Sequence, residues 1–392
     1  MKYVVVILDG AAGWRLESLD GRTTLAAART PNLDALAADG LVGLARTVPS
    51  GEEPSSAAAC TSILGYDPVA DRVGRGAIEA ASMGITLAPD EVALRMNLVT
   101  ILDGVMTSYA CGHIATAESR PIVEALGEAL GDETFRFYPG VAYRHIVVVK
   151  GHPELMDERY TPPHDISDRP VAPHLPSSLV LGGLMAQAHD LLVSLPNNDA
   201  RLIAGKLPAT DIWPFWPGVA PKSLKPFGEL RGVRAAMTSG VDLLNGLATL
   251  TGLDRLDIPG VTDGSDNDYV AQADGAMAAL EDHDLVVIHV ESPDEEGHAG
   301  DVERKVAAIE SIDREVVSRV RARMAAGDVR VLAMPDHPTP IALKTHVGEP
   351  VPFVIAGPGV RRNGAIRYDE AAAAATGLMA DPGRGVMDLL LG

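Results

Sequence analysis

The hydrophobic pattern predicts three buried strands that each run into acidic residues. Apolar residues fill 3–8, 284–290 and 329–333 almost without interruption. Continuous rather than alternating apolar runs are typical of strands that are covered on both faces of a parallel sheet. Residues 302–325 have a charged helical pattern between the second and third runs. Strand, helix and strand in this order form the crossover unit of a parallel sheet, so we predict an α/β core flanked by helices.

The remaining pattern predicts further helices and a different middle region. A helix is expected within 25–39, with Thr30 as its cap and Pro31 in its first turn, and the alanine-rich tract 371–375 also favours helix. Shorter strands are expected at 98–102 and 145–149 around a helix at 122–130, and the Pro- and His-rich passage 160–176 is typical of a linker. Trp213 and Trp216, among prolines, are interpreted as packing residues.

Length and pattern together predict two lobes. A chain of 392 residues exceeds the size at which one core usually stops growing. We expect a main core from residues 1–71 and 186–392, and a smaller inserted α+β lobe from residues 72–185. No internal repeat is evident in the sequence.

Charge and composition exclude several classes of partner. The formal net charge is −20, from 33 basic and 53 acidic residues, whereas nucleic acids and anionic membrane surfaces require a basic face. Only two cysteines, Cys60 and Cys111, are present, which favours a reducing compartment without disulfides. There is no leader pattern and no apolar run near the ~20 residues of a membrane span. We expect a cytoplasmic protein, and the sequence has no signal for an oligomeric state.

The residues that follow the three strands indicate a metal site. Ligands in sheet enzymes usually lie where a strand ends and a loop begins. Carboxylate and imidazole together suit zinc or manganese. Asp294 and His298 are four residues apart, which places both on one face of a helical turn. The acidic and histidine residues at or after the three strand ends are Asp9, Asp294, His298, Asp336, His337 and His346.

These motifs resemble those of a known enzyme family nearly end to end. The chain is similar to the archaeal-type cofactor-independent phosphoglycerate mutases of the alkaline phosphatase superfamily. The motifs that carry the resemblance are residues 7–10, Ile63-Leu64-Gly65-Tyr66-Asp67-Pro68, Gly74-Arg75-Gly76, Tyr143-Arg144-His145, Pro162-Pro163-His164-Asp165-Ile166, residues 294–298 and residues 335–346. The resemblance implies a parallel-sheet core, a hydroxyl nucleophile and two divalent ions, Mn²⁺ or Zn²⁺, without 2,3-bisphosphoglycerate. It assigns Asp9, Asp336, His337 and the nucleophile to one ion, and Asp294, His298 and His346 to the other.

The resemblance places the nucleophile at Ser56, a few residues before the Gly-Tyr-Asp-Pro run. Ser55, Thr61 and Ser62 are close alternatives, and a helix N-cap hydroxyl would fit Ser55 or Ser56 equally well. The chain departs from its relatives nearby. Where the family usually has glycine, an acidic residue and histidine, this chain has Ser55, Ala57 and Cys60, and a common arginine is replaced by His113.

The implied reaction is an interconversion of 3-phosphoglycerate and 2-phosphoglycerate through a phosphoserine. Lys344 would offset phosphate charge, and the inserted lobe would exclude water. Arg75, Arg95 and Arg144 are candidates to bind phosphate or carboxylate, although surface ion pairs would also explain them. His145 and His164 are interpreted as hydrogen-bonded loop histidines. Alternatives are a phosphatase or phosphotransferase that acts on another small metabolite through the same serine, and a non-catalytic binding protein.

Overall fold

The computed structural model describes residues 1–71, 73–221 and 223–392, which divide into two compact units. The first unit comprises 1–71 with 223–392, and the second comprises 73–221. The strands in chain order are β1 (Lys2–Leu8), β2 (Leu41–Ala45), β3 (Glu91–Leu102), β4 (Val105–Ser108), β5 (Phe135–Tyr138), β6 (Arg144–Lys150), β7 (Asp211–Val219), β8 (Ala235–Thr238), β9 (Asp254–Arg255), β10 (Leu285–Val290), β11 (Val329–Met334), β12 (Val351–Ala356) and β13 (Met379–Ala380).

The helices cover both units. In chain order they are α1 (Thr24–Ala27), α2 (Pro31–Asp39), α3 (Ser56–Ile63), α4 (Arg75–Ser82), α5 (Thr116–Leu130), α6 (Leu179–Leu192), α7 (Pro196–Ile203), α8 (Phe227–Arg231), α9 (Asp242–Leu250), α10 (Tyr269–Ala279), α11 (Ser292–Ala299), α12 (Val302–Ser311), α13 (Ser318–Met324), α14 (Glu370–Ala375) and α15 (Gly385–Leu391). A π-helical segment, Ile312–Val317, joins α12 to α13, so the long helix predicted at 302–325 is confirmed.

The first unit is built on a mixed, mostly parallel sheet, as predicted. Its strand order is β13-β2-β12-β11-β1-β10-β8-β9. β1 lies between β10 and β11 and is parallel to both, with Ile7 opposite His289 on one side and Met334 on the other. The carboxyl ends of these three strands therefore lie at one edge of the sheet, where Asp9, Glu291 and Asp336 follow them.

The long helix also holds the start of α2. Pro31 occupies the first turn, as expected, but the Thr30 side chain makes no capping hydrogen bond. The Asp313 carboxylate, on the π-helical segment, accepts instead from the backbone N–H groups of Asn32 and Leu33 at 3.1 and 2.8 Å. The region 25–39 is two helices rather than one, because the chain is extended at Ala28 before Thr30.

The second unit contains an antiparallel sheet of five strands. β3 is its centre and pairs with β4, β6 and β7, and β5 pairs with β6. β7 pairs only with β3 within the described residues, so Pro214 and Pro217 lie on an edge strand, where a missing N–H breaks no second ladder. Free Cys111 is buried in the core between this sheet and its helices, and Cys60 is free and buried in the first unit.

The limits of the second unit differ from the expected 72–185. Its first expected residue, Arg72, lies outside the described residues, and the unit continues to Pro221 because β7 completes its sheet and α6 packs on β7. The expected linker 160–176 lies inside this unit and forms two short 3₁₀ helices, Pro163–Ile166 and Ala172–His174. Of the helices described, none alone is long and apolar enough to span a membrane, while the bent pair α6 and α7 passes on length and composition only.

Candidate metal centre

Four side chains converge on one point at the carboxyl end of β1. His337 Nε2 lies 3.1 Å from Ser56 Oγ, 3.2 Å from Asp336 Oδ2 and 3.7 Å from Asp9 Oδ1. The side chains of Asp9, Asp336 and His337 are fully buried. The structure thus brings together the four residues that the resemblance assigned to one ion.

A second group lies on α11 and the loop after β11. Asp294 Oδ2 lies 3.0 Å from His298 Nε2 and 3.4 Å from His346 Nε2, and the two Nε2 atoms are 2.9 Å apart. His298 Nδ1 is 2.9 Å from the Lys344 carbonyl oxygen, and His346 Nδ1 is 3.4 Å from that of Pro54. Each Nδ1–H can donate to its carbonyl, which leaves both Nε2 lone pairs facing the carboxylate.

The electrostatics of both groups favour a bound cation. Burial and the charges of Asp336 and Asp294 raise the pKa of Asp9 well above its usual range, and Asp9 Oδ1 is buried without a hydrogen-bond partner among the described residues. Burial opposes ionisation of Asp294, yet its hydrogen bonds with His298 and His346 hold its pKa well below the usual range. The Asp294 contact raises the pKa of His298 to about 9. These closely spaced carboxylate and imidazole groups are suitable ligands for a divalent cation.

Backbone geometry lets the two groups approach each other. Gly10, directly after Asp9, has φ +58°, and a Cβ there would lie 2.3 Å from Asp294 Oδ1. Only glycine fits this position, because any side chain would overlap the carboxylate. The Gly10 N–H donates to Asp336 Oδ1 at 3.1 Å, and the Thr339 hydroxyl donates to Asp294. The loop after β1 is therefore fastened to both groups.

The start of α3 separates the serine candidates. Ser55 is the N-cap, with its hydroxyl accepting from the Ala58 N–H at 3.3 Å, whereas Ser56 is the first helical residue and faces His337. Thr61 donates to the Ala57 carbonyl at 2.6 Å and is thereby engaged within its own helix. Cys60 is buried, with Sγ 3.9 Å from Asp336 Oδ2.

Two lysines are associated with these loops in different ways. Lys344 has an exposed side chain that donates to the Ala299 carbonyl at 3.2 Å, while its own carbonyl orients His298. Lys305 on α12 is fully buried and donates to the Thr339 carbonyl at 2.7 Å and to that of Ala12 at 3.4 Å. The Lys305 ammonium therefore connects the loop after β1 to the loop after β11 through hydrogen bonds.

The three candidate arginines lie on the second unit. Arg95 is buried on β3, donates to Glu79 at 2.9 Å and to Asn97 at 3.4 Å, and burial lowers its pKa. Arg75 also pairs with Glu79 and stacks 3.8 Å over the Trp216 ring, so Trp216 does more than pack. Arg144, at the start of β6, is exposed.

The histidines of the second unit occupy different environments. His145 is a buried strand residue rather than a loop residue; its Nδ1 accepts from the Gly140 N–H at 3.0 Å, and burial lowers its pKa to about 3. His164 lies 5.8 Å from the Trp216 ring and 6.1 Å from that of Tyr109. His113, where the resemblance expects arginine, has its ring centre 6.1 Å from that of Tyr109.

Sequence reasoning missed three residues of the first unit. His289 Nε2 lies 2.7 Å from Asp9 Oδ2, and Glu291 Oε2 lies 3.7 Å from the same nitrogen. A histidine inside an otherwise apolar strand was a signal for His289. Lys305 shares its helix face with Ala308, Ile309 and Ile312, and a lone lysine at this spacing signals a buried charge.

Comparisons with known proteins agree with this geometry. The profile of the 2,3-bisphosphoglycerate-independent phosphoglycerate mutases matches residues 37–198. A protein of that name from Methanothrix thermoacetophila is 44% identical, with both chains covered in full. The chain belongs to this mutase family. A probable mutase of the family from Geobacter sulfurreducens is 43% identical, again over the whole of both chains.

Two solved structures share the fold of this family member. A protein from Pyrococcus horikoshii has a TM-score of 0.85 at 28% identity, covering 99% of this chain and 97% of its own. The cofactor-independent phosphoglycerate mutase of Thermoplasma acidophilum has a TM-score of 0.71 at 27% identity, covering 100% of this chain and 99% of its own. The family resemblance and the α/β fold inferred from the sequence are confirmed.

The buried ammonium of Lys305 predicts a pH-dependent stability. Burial lowers its pKa to about 8, although the charges of Asp294 and Glu370 oppose the shift. Between about pH 8 and the unfolded value near 10.5, the unfolded chain binds more protons, so the folded state gains stability as pH rises. Relative to Lys305→Met, the wild-type free energy of unfolding should increase by up to about 3 kcal/mol across this window.

Urea unfolding of both metal-free chains at several pH values from 7.5 to 10 measures this difference. Other titrating groups are common to the two chains and cancel. A difference in unfolding free energy that does not change with pH would contradict a buried, proton-losing Lys305.

Proposed function

We propose that the protein is a metal-dependent phosphoglycerate mutase that interconverts 3-phosphoglycerate and 2-phosphoglycerate through a phosphoserine at Ser56. The observation that carries this proposal is the placement of Ser56 Oγ, 3.1 Å from His337 Nε2, within the buried carboxylate and imidazole group. The names of relatives at 43–44% identity over the whole chain support the same reaction.

The residues present suit two divalent cations, Mn²⁺ or Zn²⁺, in the arrangement that the resemblance implied. Asp9, Ser56, Asp336 and His337 would hold one, and Asp294, His298 and His346 the other. Such cations would lower the pKa of the Ser56 hydroxyl and offset charge on the phosphate oxygens. No 2,3-bisphosphoglycerate is required, because the serine itself carries the phosphate between the two hydroxyls of glycerate.

Ser56 acts as nucleophile in the first transfer and as leaving group in the second. Its oxygen forms a bond to phosphorus as the bond from phosphorus to the 3-oxygen of glycerate breaks. The serine hydroxyl loses its proton in this step, and the 3-oxygen of glycerate gains one. The 2-hydroxyl of glycerate then loses its proton and attacks the phosphorus of the phosphoserine. The bond from phosphorus to Ser56 Oγ breaks, and Ser56 Oγ regains a proton. A phosphate on Ser56 lies at the N-terminus of α3, where the helix dipole favours negative charge.

The cationic residues of the chain would bind the rest of the substrate. Arg75, Arg95 and Arg144 present planar guanidinium groups that suit a carboxylate or a phosphate. Glu79 pairs with both Arg75 and Arg95, and Trp216 stacks on Arg75. These contacts hold the two arginines in place before any substrate binds, which reduces the conformational entropy lost on binding. Lys344, adjacent to the second ligand group, stays our prediction for the cation that offsets phosphate charge during transfer.

One observation favours a second candidate function. The surroundings of Ser56 contain Ala57 and the buried Cys60 thiol, 3.9 Å from Asp336 Oδ2, where the family resemblance expects an acidic residue and histidine. Fewer polar groups around the phosphoserine would bind glycerate less specifically. The same site could then transfer phosphate to water or to another small hydroxyl compound, as a phosphatase or phosphotransferase.

Incubation of the Mn²⁺-loaded protein with 3-phosphoglycerate separates these functions when 2-phosphoglycerate and free phosphate are both followed. A mutase forms 2-phosphoglycerate with little free phosphate, and chelation followed by readdition of Mn²⁺ should abolish and then restore this activity. Release of phosphate without 2-phosphoglycerate would instead support the phosphatase, and no reaction with either readout would contradict the mutase assignment.

Ser56 and its neighbour Ser55 form a matched pair of variants. Ser56→Ala removes the nucleophile and should lower kcat by at least about a thousandfold with unchanged folding. Ser55→Ala removes only the cap of α3, which costs about 1 kcal/mol of stability and should leave most of the activity. Mass spectrometry of the wild type quenched with substrate should show a phosphate on Ser56. Full activity of Ser56→Ala would disprove the nucleophile assignment.

Arg95 provides a test of substrate binding on the second unit. Arg95→Lys keeps a positive charge beside Glu79 but loses the planar fork, so KM for 3-phosphoglycerate should rise by about tenfold or more, which corresponds to about 1.4 kcal/mol. Arg136→Lys is the control, because Arg136 lies on β5 and pairs with Glu91. Steady-state kinetics of both variants gives the comparison. Equal KM values for Arg95→Lys and wild type would exclude a bidentate role for Arg95.

A further inference from the structure

One threonine hydroxyl contacts a residue of each candidate ligand group. The Thr339 hydroxyl donates to Asp294 Oδ1, and its oxygen lies 3.4 Å from His337 Nδ1. The other oxygen of Asp294, Oδ2, lies 3.0 Å from His298 Nε2. The other nitrogen of His337, Nε2, lies 3.1 Å from Ser56 Oγ. Asp294 and His337 therefore each direct one atom toward a ligand group and the other toward Thr339.

The hydrogen-bonding capacity of a hydroxyl matches both contacts. A threonine hydroxyl has one proton to donate and two lone pairs with which to accept. The proton is donated to Asp294, so the oxygen can accept from an Nδ1–H of His337. In this tautomer the Nε2 lone pair of His337 faces the first ligand group. A hydrogen bond from the second ring nitrogen is the usual device that orients a metal-binding histidine.

The main chain of Thr339 is held on both sides. Its N–H donates to the Ala12 carbonyl at 3.1 Å, and its own carbonyl accepts from the Lys305 ammonium at 2.7 Å. Both Thr339 and Lys305 are fully buried. The hydroxyl therefore projects from a backbone position that is fastened to the loop after β1 and to α12.

Two glycines leave the space that the Thr339 side chain fills. A Cβ on Gly297, inside α11, would lie 2.8 Å from Thr339 Cγ2, and a Cβ on Gly10 would lie 2.6 Å from Thr339 Oγ1. Glycine inside a helix is unfavourable relative to alanine, and close approach of another residue is the physical reason for it here. Because α11 carries Asp294, this approach brings the carboxylate within reach of the hydroxyl.

We propose that Thr339 is a positioning residue for both ligand groups, and that its hydroxyl rather than its methyl group raises the affinity for both cations. The inference rests on the proposed function, because the two cations belong to that proposal. Residues that hydrogen-bond to metal ligands from outside typically change metal affinity by about 10- to 100-fold when they are removed.

Thr339→Ser and Thr339→Ala differ by a single oxygen atom, so their comparison isolates the hydroxyl. Each chelator-stripped chain is titrated with Mn²⁺ by isothermal titration calorimetry, and native mass spectrometry counts the ions bound at each concentration. We expect Thr339→Ser to bind both ions within about threefold of the wild-type affinities, and Thr339→Ala to bind each at least about tenfold more weakly. Thr251→Ala is the control and should keep both affinities, because Thr251 is also fully buried in the first unit but donates to the Leu247 carbonyl at 2.7 Å.

The outcomes separate this role from the proposed mutase. Equal affinities of Thr339→Ser and Thr339→Ala would overturn the role of the hydroxyl and leave the two-ion mechanism intact. A loss confined to one ion would overturn its action on both ligand groups, and a wild type that binds no ions would overturn both proposals. A difference between the two variants in a protein without mutase activity would support the positioning role alone.

Melting temperatures of the stripped chains show whether each variant folds. If Thr339→Ala does not fold, Thr339→Val replaces it, because valine keeps the size of the side chain and lacks the hydroxyl. Wild-type affinities in folded Thr339→Val would overturn the proposal.

Discussion

Repulsion among buried carboxylates is the constraint on which the rest of this structure depends. Asp9, Asp294 and Asp336 are nearly or fully buried in one region, where the charges of Asp294 and Asp336 raise the cost of ionising Asp9. The parallel register of β1 between β10 and β11 creates this crowding, because it delivers three strand ends to one edge. Under the proposed function, bound divalent cations would relieve this repulsion, so the interaction that destabilises the fold without metal would also contribute to the affinity for metal.

The sequence predicted which of these side chains lie close together, because their signal is local. An acidic residue after a continuous apolar run indicates a strand end, and such ends share an edge whenever the strands are parallel. The contacts that hold the ligands in place are not local. Asp313 caps α2 across 281 residues, and Lys305 joins loops that precede and follow it by 293 and 34 residues. Sequence spacing cannot predict such contacts, because they form only when the whole chain has packed.

The second unit was harder to predict, and its extent shows why. β7 contains two prolines among three aromatic residues, a composition that indicates a loop or a packing cluster rather than a strand. Its pairing with β3 extends the unit to residue 221, which sequence pattern could not show because an edge strand is defined by its partner. Trp216 likewise was interpreted as a packing residue, although Arg75 stacks on its ring. Trp216 thus packs against the core of this unit and also holds the Arg75 guanidinium group.

The prolines of β7 have a consequence for the behaviour of the protein at high concentration. An open sheet edge is a template on which another chain can add a strand, and this is a common route to aggregation. Pro214 and Pro217 lack the N–H groups that such an incoming strand would need, and the irregular register between Leu94 and Arg95 interrupts the regular repeat of the edge. β7 is therefore a poor template for an added strand, and the net charge of −20 adds repulsion between separate chains.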